Sequence, residues 1–168
     1  MRTFTLRFRD LVTEDGGTIR EHQRVIARHG EVWWGWWMRQ YEQLPIDSMR
    51  EFTRFIEENG SLEVYLYDSG NSYLYRATVI KIRAAPLGKK ISAPEVEKSP
   101  PYYVQGMYPA WFLLTALEDV STKAPPMKLI AFPTRPDDQE LKPWVGKEIA
   151  SISDLRQIGV TYCETEIS

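Results

Sequence analysis

Four tryptophans fall within five consecutive positions of this 168-residue chain, and they restrict its fold more than any other stretch. They are Trp33, Trp34, Trp36 and Trp37. The β-branched and aromatic content of the segment predicts a strand over residues 31–38. Because side chains alternate between the two faces of a strand, the four rings must occupy both faces. One face can enter a core, but the other then needs a covering helix, a partner or a cavity.

The spacing within the run separates the rings into two sets. Alternation places Trp34 and Trp36 on one face of the strand. The opposite face carries Trp33, Gly35 and Trp37. The glycine leaves a gap that permits a bulge or the close approach of a ligand to the backbone. A nucleobase can stack on such rings, and a cationic or methylated group can bind their faces. We predict that at least two of the rings line a ligand pocket, with core packing as the alternative.

The remaining periodicities predict a mixed order of helices and strands. Residues 4–11 alternate as a half-buried strand, and residues 18–30 are typical of a helix that Gly30 ends. A second helix is predicted over residues 47–60 and a long hairpin over residues 61–82. Antiparallel strands dominate and no βαβ repeat occurs. The order therefore favours an α+β fold, a small, mostly antiparallel β-barrel with helices packed outside.

The proline-rich stretch 84–108 predicts a long irregular loop, which in a compact domain is typically functional or mobile. Three further strands and a short last helix are expected after it. No linker divides the chain, so we expect a single domain over residues 1–168. Both predicted α-helices begin with a capping-box pattern, which pairs Thr18 with Glu21 and Ser48 with Glu51.

The composition excludes several classes of protein. The formal net charge of −2 argues against a generic, salt-driven nucleic-acid binder. Cys163 is the only cysteine, so an intramolecular disulfide and a cysteine-rich metal site are excluded. The first ten residues lack the apolar stretch of a signal peptide, and no apolar run is long enough to span a membrane. We therefore expect a cytoplasmic protein without a membrane partner.

The sequence lacks the usual catalytic and metal-binding motifs. His22 and His29 are seven positions apart, whereas a metal pair on a helix needs three or four, so we expect helix-surface, interface or inward-facing histidines. No base or basic cluster accompanies Cys163 to make it a nucleophile. The segment PDDQELK, residues 136–142, is similar to a nuclease motif but is confined to one polar loop. We expect no catalytic residue, no metal, no cofactor and no enzymatic activity.

Several short motifs resemble the EVE and YTH domains of the PUA-like superfamily. The segment HGEVWW, residues 29–34, resembles the Gly-x-Val-Trp strand that follows the first helix of YTH domains. The hairpin with DSGNS at its turn, the strand AWFLLTAL and the segment SISDLR are similar to later parts of these domains. In YTH domains the tryptophan of that strand forms one wall of a cage for methylated adenine. The resemblance implies a PUA-like barrel with a pocket for a modified or flipped base, with Trp33 or Trp34 as a wall.

The aromatic pattern and the resemblance together predict the pocket. Tyr65 and Tyr67 lie opposite Val64 and Leu66 on their strand, so they are expected to be exposed or to line the pocket. The full set of predicted pocket residues is Trp33, Trp34, Trp36, Tyr65, Tyr67, Tyr103 and Trp111. Core packing is the alternative for Trp111. The predicted phosphate-binding rim comprises Arg83, Lys89 and Lys90, for which a merely solvated cluster is the alternative.

The leading hypothesis is a non-catalytic reader module that binds DNA or RNA through a modified or flipped base. Such a module serves as a specificity domain for an associated effector protein or a fused effector domain. One alternative is a protein-interaction domain that uses an exposed tryptophan-rich patch, because tryptophan is enriched at interface centres. Another is a sensor domain for a nucleotide or a different small molecule.

Overall fold

The computed structural model describes residues 1–10 and 16–168 and contains one eight-stranded and one two-stranded sheet. The main elements are β1 (Arg2–Phe8), α1 (Gly17–His29), β2 (Val32–Gly35), α2 (Ile46–Asn59), β3 (Leu62–Asp68), β4 (Tyr73–Ala84), β5 (Ile91–Ser92), β6 (Met107–Tyr108), β7 (Ala110–Asp119), β8 (Met127–Ala131), β9 (Glu148–Ile149) and β10 (Tyr162–Ile167). Short 3₁₀ helices occupy Val96–Lys98, Pro101–Tyr103, Lys142–Trp144 and Ile152–Gln157. The end of the first predicted strand, at position 11, lies outside the described residues.

The large sheet has the strand order β2-β7-β4-β3-β1-β10-β8-β9. Among the described strands β1 and β3 pair in parallel, and the other neighbours in this sheet pair antiparallel. This confirms the α+β class. The described strands do not close into the predicted barrel, because β2 and β9 lie at opposite edges. These edges comprise only four and two residues, which leaves little backbone to pair across a closure.

Strand β1 lies between β3 and β10 and is buried on both faces. Phe4 and Leu6 enter the main core, where the Phe4 ring lies 5.1 Å from Phe52 and 5.2 Å from Tyr162. Thr5, on the opposite face, is also buried. The prediction of a half-buried strand is therefore wrong, because a strand with neighbours on both sides and a core on each face has no wet surface.

The two α-helices occupy the predicted ranges to within a residue and end at the predicted glycines, where Gly30 and Gly60 have φ angles of 82° and 90°. The predicted capping boxes are absent from these helices. At α1 the Asp10 carboxylate accepts backbone N–H groups, including that of Thr18 at 3.0 Å. At α2 the Ser48 hydroxyl donates instead to a buried glutamate of β10. A carboxylate from outside the helix thus caps α1, whereas at α2 a tertiary hydrogen bond engages the serine that was expected to cap the helix.

Residues 84–108 form more than an irregular loop, because β5 and β6 pair there as a small ribbon. This segment packs against a cluster of Trp33, Trp111 and Leu113 on one face of β2 and β7. The Trp33 indole Nε1 donates to the Glu95 carboxylate at 3.0 Å, and that of Trp111 donates to a backbone carbonyl of β5 at 3.0 Å. The segment therefore covers the second face of the tryptophan strand.

A matched pair of leucines tests the assignment of the main core. Leu6→Ala should lower the free energy of unfolding by about 2–5 kcal/mol, because it leaves a cavity in a packed interior. Leu87→Ala, at a side chain that is 69% exposed, should change it by less than ~0.5 kcal/mol. Urea denaturation of both variants measures the difference. Similar losses in the two would contradict the placement of β1 at the centre of the core.

Candidate functional site

The four clustered tryptophans have four different environments. Trp33 lies under the 84–108 segment. Trp34 packs under α1, with its ring 4.4 Å from the imidazole of His22. Trp36 joins the main core, and Trp37 is 58% exposed. Strand β2 ends at Gly35, before the predicted end at residue 38, although the Trp36 backbone N–H still donates to β7 at 3.0 Å.

Three of these tryptophans line a cleft of about 210 Å³ between the end of β1 and the segment after β2. We call it the tryptophan cleft. Its aromatic residues are Phe8, Trp34, Trp36, Trp37 and Tyr103. The volume is below the ~300–1,000 Å³ of typical drug-sized sites, so the cleft suits one flat ring system.

The Trp34 wall is held by rings on several sides. Phe8 meets it edge-on at 5.1 Å, and Tyr103 lies 6.5 Å away at an angle of 50°. His22, fully buried behind Trp34, accounts for the third contact. Its Nδ1 lies 2.7 Å from the Thr18 carbonyl, so it donates a hydrogen bond within α1. Such packing leaves Trp34 with one defined ring orientation.

The Trp36 wall is fixed by a buried hydrogen-bond chain. Its Nε1 donates to the Thr161 hydroxyl at 3.1 Å, and that hydroxyl donates to the Glu42 carboxylate at 3.0 Å. The same carboxylate accepts the Thr161 backbone N–H at 3.1 Å and the Thr134 hydroxyl at 2.8 Å. A buried carboxylate needs such donors, because leaving one of them out would strand a desolvated charge.

Gly35 allows a tyrosine, not a ligand, to approach the back of the strand. A Cβ at this position would lie 2.6 Å from Cδ2 of Tyr108 and 3.1 Å from the Trp111 ring. Any larger residue would therefore displace Tyr108, which itself packs on Trp111 with ring centroids 5.1 Å apart. The glycine brings the 84–108 segment close against the strand whose other side faces the cleft.

Three arginines surround the cleft: Arg7, Arg9 and Arg39. The Arg7 guanidinium donates to the Ile158 carbonyl at 3.1 Å, and that of Arg39 donates to the Gly159 carbonyl at 2.9 Å. Burial lowers the pKa of Arg7, and the nearby charge of Arg39 lowers it further. No Asp or Glu belongs to the lining within the described ranges. The cleft is thus a positively charged site on a protein of net negative charge.

The structure brings together three of the predicted pocket residues, Trp34, Trp36 and Tyr103. Trp33 and Trp111 lie on the other side of the β2–β7 pair, under the 84–108 segment.

The other predicted site residues lie away from the cleft. Tyr65 and Tyr67 are not exposed, contrary to their alternation with Val64 and Leu66. Both are buried in a second core with residues of β4 and β8, because β3 has a core on each face. Arg83, Lys89 and Lys90 are exposed and do not line the cleft.

The remaining cleft residues have weaker signals in the sequence. Arg7 and Arg9 flank Phe8, and Arg39 follows Trp37 by two positions. Each of the three arginines therefore lies within two positions of an aromatic residue. Local patterns could not show that these segments converge. They meet at the chain before β10. There the Thr161 hydroxyl accepts a hydrogen bond from Trp36, and the Ile158 and Gly159 carbonyls accept hydrogen bonds from Arg7 and Arg39.

Two larger grooves are less suited to a flat anionic ligand. One, of about 600 Å³, lies between α2 and the end of β4 and has no aromatic lining residue in the described chain. The other, of about 630 Å³, lies beside Tyr41 and contains Asp137, Asp138 and Glu140 of the PDDQELK segment. Those carboxylates would repel phosphate. Within the described ranges, no group of three His, Cys, Asp or Glu side chains is arranged to hold a metal ion.

An aromatic, cationic cleft beside a small mixed sheet has the composition of a ligand-binding site. The family comparison agrees, because the family model described as Pua-like matches residues 4–166. The chain belongs to the PUA-like family. Domains of this family generally bind nucleic acids and are typically non-catalytic binding modules. No curated protein and no solved structure matches the chain. Neither α-helix of the described chain is long and apolar enough to cross a membrane.

The buried His22 predicts a specific loss of stability in acid. Burial lowers the pKa of His22 to about 4, below the ordinary value of 6.5. As the pH falls through this window, the unfolded chain takes up the proton first. The free energy of unfolding should therefore fall by ~2 kcal/mol between pH 7 and pH 5 from this residue alone.

Urea denaturation at the two pH values, with NMR titration of the imidazole, measures the effect. His22→Gln should lose this part of the pH dependence, whereas His29→Gln, at the exposed histidine of the same helix, should retain it. An imidazole of His22 that titrates near its ordinary value would contradict its burial behind Trp34.

Proposed function

We propose that this domain is a non-catalytic nucleic-acid reader that holds one extruded or modified base in the tryptophan cleft. The observation that supports it most is the meeting of Trp34, Trp36, Trp37 and Tyr103 with three arginines in one small cavity. The rings supply stacking faces, and the arginines supply contacts for the phosphates on either side of the base. The PUA-like family, whose members generally bind nucleic acids, is consistent with this assignment.

The size of the cleft favours a single base over a duplex. A volume of about 210 Å³ admits one ring system, so a base has to leave its stack to enter. Stacking on aromatic side chains contributes ~1–3 kcal/mol per base, which offsets the cost of unstacking a damaged, modified or single-stranded base. Both enzymes and non-enzymatic proteins extrude bases in this way. The described lining of the tryptophan cleft has no carboxylate that could act as a general acid or base.

Of the two cage walls that the resemblance to EVE and YTH domains implied, one fits the proposed function. Trp34, rather than Trp33, is the proposed cage wall, because Trp34 lines the tryptophan cleft whereas Trp33 lies under the 84–108 segment. Trp33 and Trp111 support the strand from behind. In this proposal Arg83, Lys89 and Lys90 contact only phosphates that lie farther along the bound nucleic acid. The module directs an associated or fused effector to its target.

A second candidate is a protein-interaction surface, which one observation favours. Trp37 and Tyr41 are exposed by 58% and 53% and lie near each other along the chain. Exposed aromatic residues of this kind are enriched at interface hot spots. The patch is smaller than the sequence implied, because Trp33, Trp34 and Trp36 are each at most 2% exposed. A free nucleotide as ligand would use the same cleft.

Substitutions at two exposed aromatic residues test the reader proposal while preserving the fold. Trp37→Ala should weaken oligonucleotide binding about 5- to 100-fold, because it removes a stacking face. Tyr73→Ala, at an exposed ring outside the cleft, should leave binding unchanged. Fluorescence polarisation with short single-stranded DNA and RNA, unmodified or with one central methylated base, measures both.

Three outcomes would count against the reader proposal. The first is that the folded protein binds none of these oligonucleotides. The second is that Trp37→Ala abolishes self-association or partner binding and leaves oligonucleotide affinity intact, which would favour the protein-interaction candidate. The third is that free nucleotides bind as tightly as oligonucleotides, which would favour the sensor.

A further inference from the structure

Within the described residues, the arginines of the tryptophan cleft form no ion pair with a carboxylate. In the described part of the chain, no Asp or Glu oxygen lies within 4.0 Å of a guanidinium nitrogen of Arg7, Arg9 or Arg39. This differs from Arg2, Arg24, Arg76 and Arg135, each of which pairs with a carboxylate.

The acceptors that hold the cleft arginines are neutral. Arg39 donates to the Tyr41 hydroxyl at 2.7 Å and to the Gly159 carbonyl, and Arg7 donates to the Ile158 carbonyl. Two consecutive carbonyls thus hold two arginines that line the same cavity. Hydrogen bonds of this kind fix the direction of a cation but leave its charge in place.

A cationic ligand in the same cavity would be repelled by the arginines. The interaction between charges a few ångströms apart is strong where water is partly excluded, and the cleft has a wall of rings on one side. An aromatic cage normally attracts cations through the faces of its rings. Here the arginines oppose that attraction by repelling cations. A neutral ring can still stack, and an adjacent phosphate is attracted by the arginines.

We propose that the tryptophan cleft selects an uncharged base carried by a phosphodiester backbone and rejects bases that methylation has made cationic. This inference rests on the proposed reader function and adds the class of base that the site accepts. Arg7 and Arg39 determine this specificity, because both line the cavity and neither forms an ion pair with a carboxylate of the described residues. Methylated lysine and other cationic ligands of aromatic cages are rejected for the same reason.

Isomeric modifications provide a direct test. Oligonucleotides of one sequence would carry N6-methyladenine or its cationic isomer 1-methyladenine at the central position. A second pair would carry 5-methylcytosine or the cationic 3-methylcytosine. We expect the neutral member of at least one pair to bind, with the cationic member of that pair at least about tenfold weaker at low salt.

Charge-neutralising variants separate electrostatics from shape. Arg39→Gln keeps a donor for the Gly159 carbonyl but removes the charge, so the difference between isomers should shrink to about threefold or less. Arg28→Gln, at an exposed arginine of α1 outside the cleft, should leave the difference unchanged. Fluorescence polarisation at two salt concentrations measures both variants.

The outcomes distinguish the two proposals. If a cationic isomer binds as tightly as its neutral partner, charge selection is overturned and the reader function stands. If the difference persists in Arg39→Gln and in Arg7→Gln with Arg39→Gln, shape rather than charge discriminates, and the inference is overturned. If the folded protein binds no oligonucleotide, the reader function itself is overturned, and this inference with it.

Discussion

The structure depends on covering both faces of a strand that carries large rings on each side. Helix α1 covers one face, where His22 packs on Trp34 with ring centroids 4.4 Å apart. The 84–108 segment covers the other, where it buries Trp33 and Trp111. Gly35 makes the second contact possible, because a side chain there would displace Tyr108. With both faces closed over β2, an opening remains at its end, where Trp36 and Trp37 leave the strand and the tryptophan cleft begins.

Two walls of the cleft are held in place by contacts within the protein. The chain from Trp36 through Thr161 to the buried Glu42 fixes one wall, and the rings around Trp34 fix another. The segment that contains Thr161 also presents the two carbonyls that hold Arg7 and Arg39. One short segment before β10 thus sets both the aromatic and the cationic parts of the site. Preorganisation of this kind lowers the ordering cost of binding.

Much of the fold could be predicted from the sequence, because helices and hairpins are encoded by local periodicity. The ranges of α1 and α2, their terminal glycines and the β3–β4 hairpin follow from patterns within a few residues. Placement of strands in the sheet does not follow from such patterns. Tyr65 and Tyr67 alternate like exposed residues, yet β3 has a core on each face and buries them. The positions of Arg7 and Arg39 at the cleft depend on hydrogen bonds to residues more than 100 positions away in the sequence, which local patterns do not predict.

A crystal structure of the domain with a short single-stranded oligonucleotide that carries one methylated, uncharged base would test the proposed binding site. We expect this base to lie in the tryptophan cleft against Trp34 and Trp37. We also expect an adjacent phosphate within hydrogen-bond distance of Arg39. A complex in which the oligonucleotide lies on another face, such as the groove beside α2, with all bases outside the cleft, would contradict the proposed site.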